Sequence, residues 1–312
     1  MENFLICLNA VLPMFVIMAV GYVAKLAGLL TEEQVPKINK ISFRVFMPCL
    51  IFYNLYTSDL SSAVRPKLIL FAVLGVLTAY AVTAVIVLLT VPQPERRGVM
   101  IQGIFRSNYV VIGLPIASSL LNGQGLGTVA ILVAVVVPIF NVLAVVTLSV
   151  FTGKRTSAAE VVKSIVTNPL ILGTLAGVLT LLCGIRLPLF LDEAVRELGA
   201  AATPLQIFLL GAFFHFDGLA KYRVNLTWAV LGRLVIIPGV LLGLGALLGF
   251  RGAEFVALIG CFAAPTAIAS FTMTEQMGGD AELAGDIVVM TNAVCTVTIF
   301  AWSLLFKTMG LF

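Results

Sequence analysis

From residue 5 to residue 308 the chain repeats one pattern: an apolar stretch of about 20 residues, a short polar turn, then another apolar stretch. A stretch of that length and polarity crosses a bilayer unless a large core hides it. The charge content removes the second option. Only 11% of the residues are charged and 60% are hydrophobic, whereas charged residues make up about a quarter of a soluble domain. A polytopic membrane protein follows, and an all-α one, because a helix satisfies its own backbone groups within hydrocarbon. The first stretch is not a signal peptide: it lacks a basic leading region, exceeds the usual apolar length, and is followed by many more spans.

Ten spans are expected, at about 5–27, 36–57, 67–91, 99–121, 126–151, 165–184, 193–215, 226–250, 254–276 and 283–308. Short turns such as VPQPERRG (91–98), TGKRTSAAE (152–160) and QMGGDAEL (276–283) join them, so residues 1–312 read as a single membrane domain. The second span opens with Lys37, Lys40 and Arg44, which makes its start amphipathic. Loops after spans 1, 3, 5 and 7 and their flanking turns hold eleven basic residues, from Lys25 through Lys154, Arg155 and Lys163 to Arg223. The opposite side holds six: Arg65, Lys67, Arg186, Arg196, Arg251 and Lys307. The positive-inside rule places the first set in the cytoplasm and both termini outside the cell membrane. Arg106 and Arg233 lie within spans. The basic excess is spread over loops, so it marks orientation and implies no nucleic-acid partner. The five cysteines are scattered through apolar segments without CxxC spacing and read as small core residues.

The second half echoes the first. Pro13 and Pro169 are 156 residues apart, as are Pro48 and Pro204; Pro115 and Pro265 are 150 apart, and Asn141 and Asn292 are 151 apart. Four matches in the correct order predict an internal repeat, repeat one over 1–151 and repeat two over 165–312. Five spans per repeat is an odd number, which inverts the halves relative to each other. Within IGLPIA (112–117) and FAAPTAIAS (262–270) a proline interrupts spans 4 and 9 near mid-membrane. Proline removes a helical hydrogen bond, and freed backbone groups survive in a bilayer only beside protein or a watery cavity. Matched interruptions in two halves point to a transporter binding site. Each exposes a half-helix N-terminus that suits an anion. Pro13, Pro138, Pro169 and Pro238 read as simple kinks.

The stretches RSNYVVIGLPI, FMPCLIFYNL and FAAPTAIASFTMTEQMGGDAELAGDIVV resemble the auxin efflux carrier family, its bacterial members and the plant PIN-type carriers alike. The likeness covers essentially the whole chain. It implies ten helices in two inverted five-helix repeats, with helices 4 and 9 broken and crossing at their prolines, an architecture shared with sodium/bile-acid symporters. It also implies a scaffold of helices 1, 2, 6 and 7 and a transport unit of helices 3–5 and 8–10. Substrates in the family are organic anions: auxin in plants, small carboxylates in bacteria. The chain lacks the long loop that plant carriers place between spans 5 and 6, so regulation there does not carry over.

Asn108 shares a helical face with Ile112 and Pro115, if the helix runs through them. The family's motif carries over Asn108, Gly113 and Pro115 in span 4, and Pro265, Thr266 and Ser270 in span 9. Arg106, about 10 Å from Gly113 along a helix, reads as a cytoplasmic guide for the anion outside its contact shell. Gln206 reads as a scaffold contact, with Asn54 a weaker one, and Asn141 and Asn292 as lining the crossover. His215, beside Asp217, reads as an interfacial tip; Glu275, Asp280, Glu282 and Asp286 read as a solvated loop. No acidic residue lies near the crossover, so the expectation is uniport down the membrane potential, or weak proton linkage through the substrate's own pKa. An intramembrane enzyme would need paired aspartates, a metal cluster or a serine–histidine set, and none is present; neither a metal nor a cofactor is expected. A channel would want pore-lining rings. The expected function is a secondary exporter of small organic anions, working by elevator-type alternating access. A sensor on the same fold, binding without flux, is the alternative. Expected partners are the anion, the bilayer and, where the chain dimerises, a second copy of itself.

Single cysteines at Ser157 and Asn122, in a background without the native five, should label from opposite faces of intact cells. Labelling from one face would overturn the inverted arrangement.

Overall fold

The computed structural model describes residues 2–31, 33–57, 65–122, 125–151, 158–215 and 217–312. Lys154, Arg155, Ser157 and the side chain of Asp217, used above, lie outside these. The helices are α1 (Glu2–Leu26), α2 (Gln34–Ile41, passing through Ser42–Phe46 into Met47–Tyr56), α3 (Pro66–Thr90) and α4 (Pro94–Phe105). Next come α5 (Leu114–Leu120, entered through Tyr109–Gly113), α6 (Leu126–Val150), α7 (Ala158–Val166), α8 (Pro169–Leu182) and α9 (Leu189–Phe213). The last are α10 (Asp217–Lys221), α11 (Arg223–Leu231, passing through Gly232–Ile236 into Ile237–Leu247), α12 (Gly252–Ala263), α13 (Ala269–Met277) and α14 (Ala281–Thr308).

Among the described residues, four helices, α3, α6, α11 and α14, are long and apolar enough to cross a bilayer unaided, at 25, 25, 25 and 28 residues. The shorter apolar helices are Leu12–Leu26, Tyr109–Leu120, Pro169–Leu182 and Gly252–Ala263. Exposed leucine, isoleucine and valine run along α3, α8 and α11, the surface of a multi-pass membrane protein. Lys37, Lys40 and Arg44 all lie on the exposed side of α2.

Three prolines sit just beyond a wide π-helical turn: Pro48 after Ser42–Phe46, Pro115 after Tyr109–Gly113 and Pro238 after Gly232–Ile236. A proline ring clashes with the carbonyl four residues back. A turn widened by one residue moves that carbonyl aside without ending the helix. At Pro238 the displaced carbonyl, that of Leu234, accepts the indole N–H of Trp302 at 2.9 Å. Each helix therefore runs on through its proline by way of a bulge.

Pro115 also corrects an expectation. The chain is unwound at Arg106–Asn108, with backbone angles of −85°, 117° at Arg106 and −82°, 54° at Asn108, well before Pro115. In the second half the unwound link contains Pro265 itself, between Ala263 and Ala269. The two links lie antiparallel and form one bridge, Ser107 with Thr266. Asn108 N–H donates to the Pro265 carbonyl at 2.8 Å, and Ala267 N–H to the Arg106 carbonyl at 3.4 Å.

Helices α1, α2, α8 and α9 pack closely through small residues. A Cβ on Gly21 would fall 2.0 Å from the Phe208 carbonyl oxygen, and one on Gly211 would fall 1.9 Å from that of Met18. Backbones touch here, as they do where small residues stack in membrane helices. Gly173 and Gly177 likewise admit Pro48 and Leu55, joining α8 to α2.

The crossover is held from behind by Arg233, which is 1% exposed and projects from the wide turn of α11. Its Nε donates to the Ala264 carbonyl at 2.8 Å. Nη1 donates to Phe105 at 3.0 Å and Ile104 at 3.4 Å; Nη2 donates to Phe262 at 2.9 Å and Cys261 at 3.3 Å. A guanidinium has five N–H donors, and all are used on the ends of α4 and α12. Those ends carry unpaired carbonyls and partial negative charge.

Arg233→Met should leave these carbonyls without donors and destabilise the fold by about 3–5 kcal/mol. Arg233→Lys should recover only part of that, since an ammonium cannot span both ends. Thermal unfolding in detergent checks both; a Met variant as stable as the parent would refute the clamp.

Candidate anion site at the crossover

In front of the crossover lies a cavity of about 80 Å³. One wall comes from the unwound links and the first turns beyond them: Arg106, Ser107, Asn108, Tyr109 to Val111, and Ala267 to Ala269. Val137, Phe140 and Asn141 of α6 close the side. The opposite wall is Met47, Leu50, Ile51 and Asn54 of α2 with Thr203 and Gln206 of α9. Arg233 caps the C-terminal ends of the broken helices, and the N-terminal ends face the cavity. The backbone N–H groups of a first turn have no intrahelical acceptor.

Arg106 is 4% exposed and reaches the cavity wall. It donates to Asn141 Oδ1 at 2.7 Å and to Met273 Sδ at 2.7 Å. Both partners are neutral, and among the described residues no carboxylate pairs with it. Arg106 therefore lines the cavity, nearer to it than the expected distance along a helix implied. That distance assumed helical rise from residue 106 to 113, whereas the chain is extended at Arg106–Asn108. The amide Nδ2 atoms of Asn108 and Asn141, both buried, have no acceptor. Among the described residues, the site presents a guanidinium with only neutral acceptors and two amide groups with none.

The other expected residues divide. Gln206 of α9, Asn54 of α2 and Asn141 of α6 all line the cavity. Asn292 instead braces the crossover, donating to the Thr266 carbonyl at 3.2 Å. The Thr266 hydroxyl is turned to the Gly103 carbonyl at 2.6 Å, and its N–H donates to Thr291 Oγ1 at 3.3 Å. Ser270 is buried outside the cavity lining; its carbonyl accepts Gln102 Nε2 at 3.0 Å. Pro265 shapes the link without touching the cavity. Gly113 and Pro115 lie away from it too. A Cβ on Gly113 would fall 2.3 Å from the Gly260 carbonyl, so Gly113 lets α12 cross close by.

Sequence reading passed over Arg233, Gln102, Met273 and Thr291. Arg233 carried its own signal, since an ionisable residue inside a span is by default functional. The acidic group was misread as a solvated loop. Asp280 accepts Arg96 Nε at 3.1 Å, Glu275 accepts the Asn39 amide at 2.8 Å, and Asp286 is 1% exposed. His215 bonds Lys25 Nζ through Nε2 at 2.9 Å. Of the described cysteines, Cys261 and Cys295 are buried as expected and Cys183 is exposed.

A family model described as membrane transport protein matches residues 6–303. The chain belongs to that family, the PIN-like auxin efflux carriers. It is 25% identical over 303 residues to an uncharacterized transporter of Methanothermobacter thermautotrophicus, spanning 95% of this chain and 97% of that protein. An uncharacterized transporter of Methanocaldococcus jannaschii is 22% identical over 314 residues, with 96% and 98% covered. Auxin efflux carriers are membrane transporters and not enzymes.

Gly113→Ala should push α12 away and cost about 1–3 kcal/mol, the range for overpacking a tight contact. Thermal unfolding checks it. An unchanged midpoint would show that the two backbones have room to spare.

Proposed function

We propose that this chain is a secondary transporter exporting small organic anions, such as carboxylates or auxin-like acids, with the substrate bound at the crossover. The observation that carries the reading is Arg106, a buried guanidinium at a cavity with only neutral partners. A buried charge is costly unless paired, and a carboxylate in the cavity supplies the missing partner. The unpaired amides of Asn108 and Asn141 and the first-turn N–H groups supply further donors. The apolar side chains of Met47, Ile51, Val137 and Phe140 suit the body of an organic acid rather than a bare inorganic ion.

Ten spans in two inverted five-helix repeats, 1–151 and 165–312, fit this reading, with both termini outside the plasma membrane. The scaffold would be α1, α2, α8 and α9, and the transport unit the remaining spans. Two features support that division. The scaffold helices meet backbone to backbone at Gly21 and Gly211, and the cavity lies between α2 and α9 on one side and the crossover on the other. A substrate at such a boundary changes its exposure when one unit slides on the other, the essence of an elevator.

Labelled indole-3-acetate and malonate serve as probes for protein reconstituted in liposomes. Saturable flux of either supports the carrier, and binding without flux supports the sensor alternative. In equilibrium binding, Asn108→Ala should weaken affinity by about 1–3 kcal/mol. Arg106→Gln should weaken it by about 2–5 kcal/mol, the range for removing one partner of a buried charge pair. Full affinity in Arg106→Gln would remove the guanidinium from the site.

A further inference from the structure

Three carboxylates gather where α14 begins, and two of them are matched. Asp280 accepts Arg96 and the Tyr222 hydroxyl and caps α14 at Leu283 N–H. Glu282 accepts Lys221 Nζ at 2.5 Å and the Tyr222 hydroxyl at 3.0 Å. Asp286, one turn further in, is 1% exposed, and its Oδ2 has no hydrogen-bond donor. Among the described residues no cation stands at ion-pair distance from it. Its carboxyl faces the backbone of Gly218 in α10, where a Cβ would fall 2.3 Å from Oδ2.

Among the described residues, Arg223 of α11 lines a cavity with Met290 and Val294 further along α14, and the other charged neighbours are these. Glu282 on α14 itself, Asp280 in the turn before it and Lys221 from α10 act on Asp286 through space. Lys221 is committed to Glu282 and held above its ordinary range by its hydrogen bonds to Glu282 and Tyr222. Arg96 of α4 is committed to Asp280, and Lys25 of α1 to His215 beyond the end of α9. Glu275 of α13 holds the Asn39 amide. Among the described residues, two acids and one matched lysine act on Asp286, and none of them donates to Oδ2.

We propose that Asp286 is a proton-binding site of the transporter, taking up one proton to become a neutral carboxyl in the closed packing seen here. A buried polar group needs a partner, and a buried carboxylate without one is costly. A proton bound to Oδ2 removes that charge, leaves nothing else to balance, and needs no further co-reactant. The site is tied mechanically to the crossover. Thr291 and Asn292, which bond Thr266, lie on the same helix. Asp286 precedes Asn292 by six residues, or about 9 Å along α14. The wall it faces is different: Gly218 follows α9. Here the inference rests on the transporter reading. Sliding α14 against α9 and α10 uncovers the carboxyl to cytoplasmic water, where the proton exchanges, and covers it again.

Two measurements separate the proton site from the transporter reading. The infrared difference spectrum of detergent-purified protein, acid minus neutral, should contain a protonated-carboxyl band that Asp286→Asn removes and Asp286→Glu restores, shifted. In liposomes, a proton gradient should change wild-type flux of labelled indole-3-acetate or malonate several-fold, with Asp286→Asn flux insensitive to it. Gly218→Ala, which crowds Oδ2, should shift the pH midpoint of the band if Asp286→Asn fails to fold. A band unchanged in Asp286→Asn and unmoved in Gly218→Ala overturns the proposal, and so does a flux response to the gradient identical to wild type. Loss of the band in a protein without flux of either probe keeps the proton site and rejects the transporter reading.

Discussion

One arginine makes the crossover possible. Breaking two membrane helices side by side leaves the carbonyl ends of α4 and α12 together in a region that water does not reach. Both ends carry partial negative charge and unpaired acceptors, so they repel each other and lack donors at once. Arg233 answers both difficulties with a single group: five N–H donors meet five carbonyls, drawn from Ile104, Phe105, Cys261, Phe262 and Ala264. The remaining strain is taken up by short bonds that sew the links together, from Thr266 to Gly103 and from Asn292 to Thr266. The guanidinium is thus spent entirely on structure.

Because the carbonyl ends are neutralised behind, the amide ends are free to act in front. The cavity then sees two first turns, the Arg106 guanidinium and two unpaired amides, all of one electrical sense. Arg106 is the counterpart of Arg233 in chemistry and its opposite in commitment. Arg233 has an acceptor for every donor, whereas Arg106 has a neutral amide oxygen and a thioether sulfur. Asn141 holds the fork in place and leaves its own Nδ2 open. Preorganised donors of this kind need little rearrangement when an anion arrives, which is how a site keeps its interaction energy for the ligand.

Much of the architecture was legible because its causes are local. Apolar length and the scarcity of charge fix an all-helical membrane protein, and paired prolines mark where regular helix is under pressure. The position of the first break was not legible. Pro115 suggested it, yet a π-turn over Tyr109–Gly113 absorbs that proline, and the chain unwinds instead at Arg106–Asn108. Whether a proline breaks a helix or widens one turn depends on what receives the displaced carbonyl, and that is tertiary information. The same error misplaced Arg106, since a distance counted along a helix has no meaning across an extended link. Thr266 was carried over from the family's motif and Asn292 from the repeat, and neither source says which way a side chain turns. Asn141, from the same repeat, and Gln206, beside Pro204, do line the cavity. The acidic residues were misread because a turn rich in Gly, Asp and Glu looks solvated until its partners, Arg96, Lys221 and Tyr222, are brought in from distant segments.

Positions that the proline and asparagine spacing pairs between the two halves are used differently in the structure. Asn141 and Asn292 stand at corresponding places in sequence, yet one orients the cavity's cation and the other ties down the second link. Pro115 and Pro265 are likewise matched, yet one lies within a continuous helix and the other within the unwound strand. With the guanidinium on one link only and the rigid bracing on the other, the charge sits beside α6 while the second link stays pinned to α14. That pinning gives α14 its leverage. A displacement of the helix carrying Asp286 must move Thr266, and with it the bridge to Ser107 beside Arg106. The crossover and the Asp286 carboxyl are therefore joined through α14, with Arg106 at one end and the unmatched acid at the other.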